Sequence, residues 1–435
     1  MSATSTTEEL WRNRARNTEV KALLPVPDEV GQVLVANRRQ GERPAHDSQP
    51  ERRPQLYERA RAHTVRGHTR HVESSDRPPE PGPTSEAIDL RGSVAGHFGL
   101  GVPTGPMVPH QHTSFRTWRL RTVEGSYLVK EIWESRPPYW HRKAQAMTDY
   151  EQEARRRGIH VPRGHAADGQ LLFQIDDVGA YKVYDWLDHD TPKVDARLAA
   201  WLGLTLARLH DPGYHDPHLT PASDWFGLFE RATWNTWLES AREQRLDWYS
   251  DLHDALPRIL EISSRVAAAW ESRSDRVPSH GDLEPYNVLD TAEGLFLIDW
   301  ESVGWESASL ELGRTLFVFG EHDLEFSRAL LDSYLAAGGR APQIDESFGM
   351  RAVARKLGNL TELVRVGVDA SAPTGWMRSS AAIPQAVDEL VLLTSRSIEW
   401  SARLAALLKT ERVSRPLRAP RLDVLHRAGR RARLS

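Results

Sequence analysis

The sequence contains no cysteine among its 435 residues. Disulfide bonds, thiolate metal sites and a cysteine nucleophile are therefore excluded. No apolar run approaches the roughly 20 residues that a membrane-spanning helix needs, and the opening stretch MSATSTTEELWRNRARN has no apolar signal core. These absences predict a soluble cytoplasmic protein that has no membrane partner.

The sequence also lacks a strong excess of charge of either sign. Its 60 acidic residues nearly balance 56 Lys and Arg, which gives a formal net charge of −4. Chains that bind nucleic acid usually carry a clear positive excess. We therefore expect no nucleic acid among the partners.

Two end segments differ in composition from the rest of the chain. Residues 1–88 are rich in Arg, Glu, Pro and Ser but short of aliphatic clusters, which predicts a disordered N-terminal arm. Residues 412–435 are strongly basic and predict a solvated C-terminal tail, with weak contact to anionic partners as the alternative. Between them we predict two domains, residues 89–188 and 189–411.

The first of these domains has the pattern of a small antiparallel sheet with one helix. SFRTWRLRT and SYLVKEIW alternate polar and apolar residues on either side of a Glu124-Gly125 turn, which predicts a hairpin. Residues 141–157 favour a helix that stops at Gly158. QLLFQIDD and AYKVYDWL predict two more strands, after which the apolar stripe of PKVDARLAAWLGLTLARLH begins a mainly helical region. The predicted fold class is α+β.

The stretch SHGDLEPYNVL, residues 279–289, concentrates polar side chains in a loop. Asp282 and Asn287 have the Asp-x-x-x-x-Asn spacing of a kinase catalytic loop. GLFLIDW then predicts a buried strand that ends in Asp299. Phosphoryl transfer needs a carboxylate for the acceptor hydroxyl, oxygen ligands for Mg²⁺ and a cation near the phosphates. Lys130, on the strand YLVKEI, is the candidate for that cation.

Together these motifs resemble the aminoglycoside phosphotransferase and choline kinase superfamily, a branch of the protein-kinase-like fold. The resemblance covers residues 90–400 and is carried by HGDLEPYNVL, LIDWESVGW, YLVK, YKVYDWLD and LARLHD. It implies a two-lobed protein, with a nucleotide-binding N-lobe that ends in a hinge and a larger helical C-lobe that holds the acceptor. It also implies Mg²⁺, ATP or GTP as the phosphate donor, and a small-molecule hydroxyl as the acceptor.

The resemblance assigns roles to individual residues. Asp282 would be the catalytic base, Asn287 and Asp299 the Mg²⁺ ligands, and Lys130 the phosphate contact. Backbone groups of the hinge would hold adenine or guanine, namely those of Val183, Tyr184 and Trp186. A helix glutamate would pair with Lys130, and Glu151 is preferred to Glu153 because it shares a face with Met147 and Ala154.

The sequence departs from the family pattern in three places. PHQHTSFR stands where a glycine-rich loop would be, Glu284 and Tyr286 fill unusual positions in the catalytic loop, and Glu311 replaces the aspartate that braces this loop. These departures leave open an alternative, a catalytically weak kinase-like nucleotide-binding or scaffold protein. A kinase acting on protein side chains is less favoured, because the loop lacks the arginine of His-Arg-Asp.

Histidines and tryptophans elsewhere have simpler interpretations. His280 is predicted to hold the catalytic loop, and His210, His215 and His218 are predicted to lie in a surface loop without metal-ligand spacing. Trp234, Trp237 and Leu238 fit a helical core stripe, and an acceptor-pocket wall is the alternative for the tryptophans. The acceptor itself stays open among aminoglycoside-like antibiotics, amino sugars and amino alcohols.

Overall fold

The computed structural model describes residues 90–112, 116–133, 138–175, 179–321, 323–369 and 382–414. The predicted arm, residues 1–88, lies outside the described residues, as do residues 113–115 of the PHQHTSFR stretch and the tail beyond residue 414. Within the described ranges no helix is long and apolar enough to cross a membrane.

An antiparallel sheet forms the N-terminal part of the described chain. Its strands run in the order β1-β2-β3-β6-β4, and β5 also pairs with β6. The strands are β1 (Val108–His112), β2 (Arg116–Arg121), β3 (Ser126–Trp133), β4 (Gly164–His165), β5 (Phe173–Ile175) and β6 (Gly179–Asp185). Arg121 pairs with Ser126 across the Glu124-Gly125 turn, which confirms the predicted hairpin.

Two helices belong to this part. Helix α1 (Leu90–His97) precedes the sheet, and α2 (Pro138–Arg156) follows β3. Gly158 adopts a φ of 80°, a conformation that most side chains disfavour, so the helix ends where the sequence predicts. The buried face of α2 carries Met147 and Tyr150, which join the same core as residues of the helical part.

The chain beyond the sheet is mainly helical, as predicted. Within the described residues its helices are α3 (Ala196–Leu209), α4 (Arg231–Glu243), α5 (Tyr249–Glu271), α6 (Ala308–Gly320), α7 (Leu324–Ala336), α8 (Met350–Gly367) and α9 (Ile383–Ser414). Three of them begin with a side chain that accepts a backbone N–H, namely Asp195, Ser307 and Asp323. This architecture is the predicted α+β fold.

Two short ladders hold the SHGDLEPYNVL loop between them. Strand β7 (Arg276–Ser279) pairs with β10 (Gly304–Ser307), and β8 (Val288–Thr291) pairs with β9 (Gly294–Leu297). The predicted strand through Asp299 therefore ends earlier, at Leu297. The reason is that β8 begins at Val288, whose partner is Leu297, so β9 has no ladder partner beyond that point.

The helical part has two hydrophobic cores. One lies between α2, α3, α6 and α7, and the other lies between α4, α5, α8 and α9. Trp234 and Leu238 are buried in the second core, and Trp237 packs edge-on against Trp234 with 5.2 Å between ring centroids. The predicted stripe on α4 is therefore a core stripe rather than a pocket wall.

Candidate active site

The predicted catalytic loop begins with a backbone conformation that favours glycine. Gly281 has a φ of 75°, and a Cβ at this position would lie 2.5 Å from the carbonyl oxygen of Ser302. The Gly281 N–H donates to Glu311 Oε1 at 2.8 Å. Contact with the neighbouring segment and a buried carboxylate thus fix the backbone immediately before Asp282.

Glu311 braces this loop even though it replaces an aspartate. Its other oxygen, Oε2, lies 2.9 Å from His210 Nε2, and His210 Nδ1 lies 3.0 Å from the Tyr334 hydroxyl. The prediction that His210 lies in a surface loop is wrong, because the side chain is buried at the end of α3. Glutamate has a longer side chain than aspartate. His210, the histidine of the motif LARLHD, contacts the second oxygen of Glu311 while the first accepts from Gly281.

Asp282 and Asn287 lie together in the buried part of the loop. Asn287 Nδ2 donates to the Asp282 carbonyl oxygen at 2.8 Å and to Asp282 Oδ2 at 3.3 Å. His280 Nε2 lies 3.0 Å from the Ile298 carbonyl oxygen, so it holds the loop against the segment that precedes Asp299, as predicted. The spacing of five residues therefore produces a direct contact between the predicted base and the predicted metal ligand.

Two arginines from distant helices surround the Asp282 carboxylate. Arg314 of α6 donates to Asp282 Oδ1 at 2.8 Å and also to Glu284. Arg355 of α8 lies 2.9 Å from the same Oδ1 and 3.3 Å from Oδ2. Burial raises the pKa of Asp282, but the two guanidinium groups outweigh it and lower the pKa to about 2. We call Asp282, Glu284, Arg314 and Arg355 the arginine cluster.

A second charged cluster joins the sheet to the segment after β9. Lys130 Nζ contacts the carboxylates of both Asp299 and Glu301. Asp299 adopts a left-handed conformation, with φ 69° and ψ 62°, which is uncommon outside glycine and recurs at functional sites. The structure thus places the predicted phosphate lysine against the predicted metal ligand, across 169 residues of sequence.

Glu151 occupies the same region but has a different partner from the one predicted. Its Oε2 accepts from Lys182 Nζ at 2.9 Å and from the Tyr184 hydroxyl at 2.9 Å. The predicted Glu151–Lys130 pair is therefore wrong. The physical reason is the register of the sheet, in which Lys182 of β6 lies directly beside Lys130 of β3 and supplies a second buried cation.

Glu301 links the two lysines. It contacts Lys130 directly, and its other oxygen lies 3.4 Å from Lys182 Nζ. Burial raises the pKa of both Asp299 and Glu301, but Lys130 and Lys182 reverse this for Glu301 and lower its pKa. The pKa values of both lysines are raised because the carboxylates outweigh the cost of burial. We call Lys130, Lys182, Glu151, Asp299 and Glu301 the lysine cluster.

The hinge prediction needs correction. Val183 and Tyr184 lie inside β6, where they pair with β3 on one side and β4 on the other. The Trp186 N–H donates to the Ser126 carbonyl oxygen at 3.0 Å, and the Tyr184 side chain points to Glu151 rather than to a base. The pairing of β6 on both sides and the bond of the Trp186 N–H therefore move any main-chain contact to a base from Val183 and Tyr184 to the Trp186 carbonyl and the residues after it.

The predicted Mg²⁺ ligands have a suitable chemistry. Asn287 uses its amide nitrogen inside the loop, so its carbonyl oxygen is the atom it can offer to a metal. The Asp299 side chain is 35% exposed. Mg²⁺ prefers oxygen ligands and is usually held by one or two protein side chains together with substrate phosphates. The described residues hold no group of three or more His, Asp or Glu side chains arranged for a metal.

Sequence reasoning missed four charged residues of these clusters. They are Lys182, Glu301, Arg314 and Arg355. Lys182 and Arg314 carried a usable signal, since each stands in a largely apolar run, AYKVY and LGRTLFVF, and a buried cation needs an anionic partner. Glu301 and Arg355 carried no such signal in the sequence, because only tertiary packing brings their side chains to the clusters.

One protein family has a model that matches this chain. The model of the phosphotransferase enzyme family matches residues 108–352, which is more than half of the chain and includes both clusters except Arg355. A comparison with the curated proteins finds no match.

Several solved structures resemble the chain at low sequence identity. A spectinomycin phosphotransferase in complex with ADP and spectinomycin is 14% identical, with 71% of this chain and 98% of that chain covered and a TM-score of 0.49. A choline/ethanolamine kinase family protein from Mesorhizobium loti is 18% identical, with coverages of 72% and 98% and a TM-score of 0.47. An amicoumacin kinase in complex with AMP-PNP, Ca²⁺ and Ami is 13% identical, with coverages of 69% and 92% and a TM-score of 0.45. At these values the neighbours do not identify an acceptor.

Proposed function

Since the chain belongs to the phosphotransferase enzyme family, we propose that it transfers the γ-phosphoryl group of ATP or GTP to a hydroxyl group of a small molecule. The contact between Lys130 and Asp299 carries this proposal. It brings together a sheet cation that can neutralise phosphate charge and a partly exposed carboxylate that can hold Mg²⁺, which are two groups that phosphoryl transfer uses. A scaffold protein would not need a buried lysine beside a strained aspartate.

Asp282 acts on the acceptor in this proposal. Its carboxylate orients the acceptor hydroxyl and takes its proton as the hydroxyl oxygen bonds to the γ-phosphorus. The bond from the γ-phosphorus to the β–γ bridging oxygen breaks, and its electron pair leaves with the nucleoside diphosphate. The low pKa of Asp282 keeps the carboxylate ionised, so it can act at neutral pH.

The lysine cluster acts on the nucleotide. Lys130 lies where it can neutralise phosphate charge, and Asp299 and Asn287 offer oxygen atoms to Mg²⁺. Bound Mg²⁺ would supply positive charge that offsets the negative charge of the phosphates. Glu151 pairs with Lys182, and Glu301 lies between the two lysines, so Lys130 contacts both Glu301 and Asp299.

Two substitutions test these roles separately. Asp282→Asn keeps the size of the side chain but removes its charge, so the variant should bind Mg²⁺–nucleotide nearly normally and lose turnover by about 10²–10⁴-fold. Asp299→Asn weakens a ligand of a hard cation, so it should lose metal-dependent nucleotide affinity as well as rate. The measurements are calorimetric titrations of nucleotide with and without Mg²⁺, and release of nucleoside diphosphate.

The outcomes separate the competing hypotheses. If Asp282→Asn loses the Mg²⁺-dependent part of nucleotide binding and Asp299→Asn does not, then Asp282 is the metal ligand and Asp299 is the base. If Asp299→Asn weakens nucleotide binding but Asp282→Asn changes no turnover, the results favour a nucleotide-binding protein without catalytic activity. No change in either variant would refute the phosphotransferase proposal.

A further inference from the structure

Three guanidinium groups converge on two residues of the catalytic loop. Arg314 and Arg351 donate to the Gly281 carbonyl oxygen at 2.9 Å and 3.1 Å. Arg314 and Arg355 contact the Asp282 carboxylate. The surroundings of the proposed catalytic base are therefore cationic.

The three arginines differ in their partners. Arg314 also pairs with Glu284, and Arg351 pairs with Glu306 at 2.6 Å. Arg314 and Arg351 are buried, whereas the side chain of Arg355 is 36% exposed. The carboxylate that Arg355 contacts is that of the catalytic base. Arg314 and Arg351 thus belong to the framework of the loop, and Arg355 lies between the base and solvent.

The Asp282 carboxylate has both of its oxygens engaged. Oδ1 accepts from Arg314 and Arg355, and Oδ2 accepts from Asn287 and Arg355 at 3.3 Å each. An acceptor hydroxyl needs one of these oxygens within hydrogen-bond distance. Of the three side chains that surround the carboxylate, Arg355 is the half-exposed one and can turn away without leaving a buried cation unpaired.

We propose that the acceptor carries an anionic group, a carboxylate or a phosphate, and that Arg355 binds this group. The inference rests on the proposed function, in which Asp282 orients the acceptor hydroxyl. A guanidinium group matches a carboxylate or phosphate through two parallel hydrogen bonds. When Arg355 pairs with the acceptor, one side of the Asp282 carboxylate is released for the hydroxyl. An acceptor whose nearest group is an ammonium would instead meet Arg355 as a like charge.

A matched set of acceptors tests this specificity. Glucose, gluconate, glucose 6-phosphate and glucosamine share most of their hydroxyl groups but carry a neutral, a carboxylate, a phosphate and an ammonium group. They are screened on the full chain with ATP and Mg²⁺, next to wider pools of hydroxy acids, phosphate esters, amino alcohols and aminoglycosides. Phosphorylated products are identified by mass spectrometry, and kcat/KM is measured for each acceptor that reacts. Comparison of gluconate with glucose 6-phosphate shows whether the anionic group is a carboxylate or a phosphate.

We expect products among the hydroxy acids or phosphate esters, with kcat/KM at least tenfold above that of the matched neutral and ammonium compounds. Arg355→Gln should raise KM for the anionic acceptor by about 30-fold or more and change kcat less, and Arg355→Lys should restore part of the affinity. Arg365→Gln is the control, since Arg365 lies about 15 Å further along α8 and pairs with Glu362. It should leave KM unchanged.

Products confined to amines or neutral compounds would overturn the inference and leave the phosphotransferase proposal intact. An unchanged KM in Arg355→Gln would also overturn the inference alone. The same holds if no class of acceptor gives a product although ATP hydrolysis still depends on Asp282. Absence of any ATP turnover that depends on Asp282 would refute the proposed function itself, and the inference with it.

Discussion

The two charged clusters are built from different cations, and the difference matches what each is proposed to bind. The lysine cluster combines two cations with three carboxylates, and its Asp299 is partly exposed. The arginine cluster combines two cations with two carboxylates, and its Asp282 is almost fully enclosed. An excess of carboxylates suits a site for a divalent cation, whereas arginines around an enclosed carboxylate suit an anionic partner.

The chemistry of the two cations also differs. A lysine ammonium is a compact charge on a flexible stem, which can follow a phosphate group as it moves. An arginine guanidinium is planar and holds a carboxylate in a fixed orientation. The comparison therefore predicts that the lysine cluster rearranges when nucleotide binds, while Arg314 and the loop it contacts keep their geometry.

Removing Lys182 should have the largest effect on stability. Lys182→Met leaves Glu151 and Glu301 buried with one cation fewer, and breaking a buried ion pair typically costs about 3–5 kcal/mol. Denaturant unfolding of this variant, with exposed Lys193→Met as the control, measures the loss. In the double variant Lys182→Met/Glu151→Gln the loss should be smaller than in Lys182→Met alone. If Lys182→Met unfolds like the wild type, the ion pairs of Lys182 do not hold the cluster together.

Removing Lys130 should affect rate more than stability, although both lysines are buried. Lys130→Ala leaves Asp299 in contact with solvent and leaves Glu301 with Lys182, so little charge is stranded. Turnover should fall by roughly 10²–10³-fold, the range for loss of one group that stabilises developing charge. Steady-state assays and thermal unfolding of the same preparation check both parts. Full activity would place the phosphate contact elsewhere.

The fold and half of the site could be predicted from the sequence. Hydrophobic alternation identified the β2–β3 hairpin, and the loop spacing identified Asp282 and Asn287, which the structure places in contact. These features are local, or belong to motifs of fixed spacing. Alternation gives the period of β6 but not which strand it pairs with, so it could not place Lys182 beside Lys130.

Pattern reasoning could mark Arg314 as a buried cation, but it could not show that Arg314 and Arg355 both contact Asp282. Arg314 and Arg355 lie on separate helices and meet Asp282 only through the packing of α6 and α8 against the loop. Neither the helical period nor motif spacing specifies which helix faces a loop. Glu311 shows the converse case, because it departs from the expected motif and yet still braces the loop by recruiting His210.

The bracing carboxylate should give the protein a pH-dependent stability. Burial raises the pKa of Glu311, but the contact with His210 and the hydrogen bond from the Gly281 N–H outweigh it and lower the pKa to about 2. A carboxyl group whose pKa is lowered by folding stabilises the fold at pH values above its ordinary pKa of about 4.3. This stabilisation is lost as the pH falls towards 2. Glu311→Gln should therefore cost about 1–3 kcal/mol at pH 7 and progressively less below pH 4.

Unfolding of wild type and Glu311→Gln between pH 7 and pH 3 measures this convergence. Exposed Glu346→Gln is the control and should run parallel to the wild type over the whole range. A constant difference between wild type and Glu311→Gln would mean that the negative charge of Glu311 does not contribute to the bracing.

Removing residues 1–88 should have the smallest effect on the two clusters. All of their members lie between Lys130 and Arg355, and the described hydrophobic core residues lie between Val94 and Leu404. A segment whose composition cannot bury much apolar surface contributes little to offset its own ordering entropy. The truncated chain should unfold cooperatively within about 0.5 kcal/mol of the full chain, and its Mg²⁺-dependent nucleotide affinity should be unchanged. Insolubility or loss of the cooperative transition would show that the arm is part of the folded unit. If the truncated chain is stable but binds nucleotide more weakly, the arm contributes to nucleotide binding at the lysine cluster. If nucleotide binding is unchanged but the KM for the acceptor rises, the arm contributes to acceptor binding at the arginine cluster.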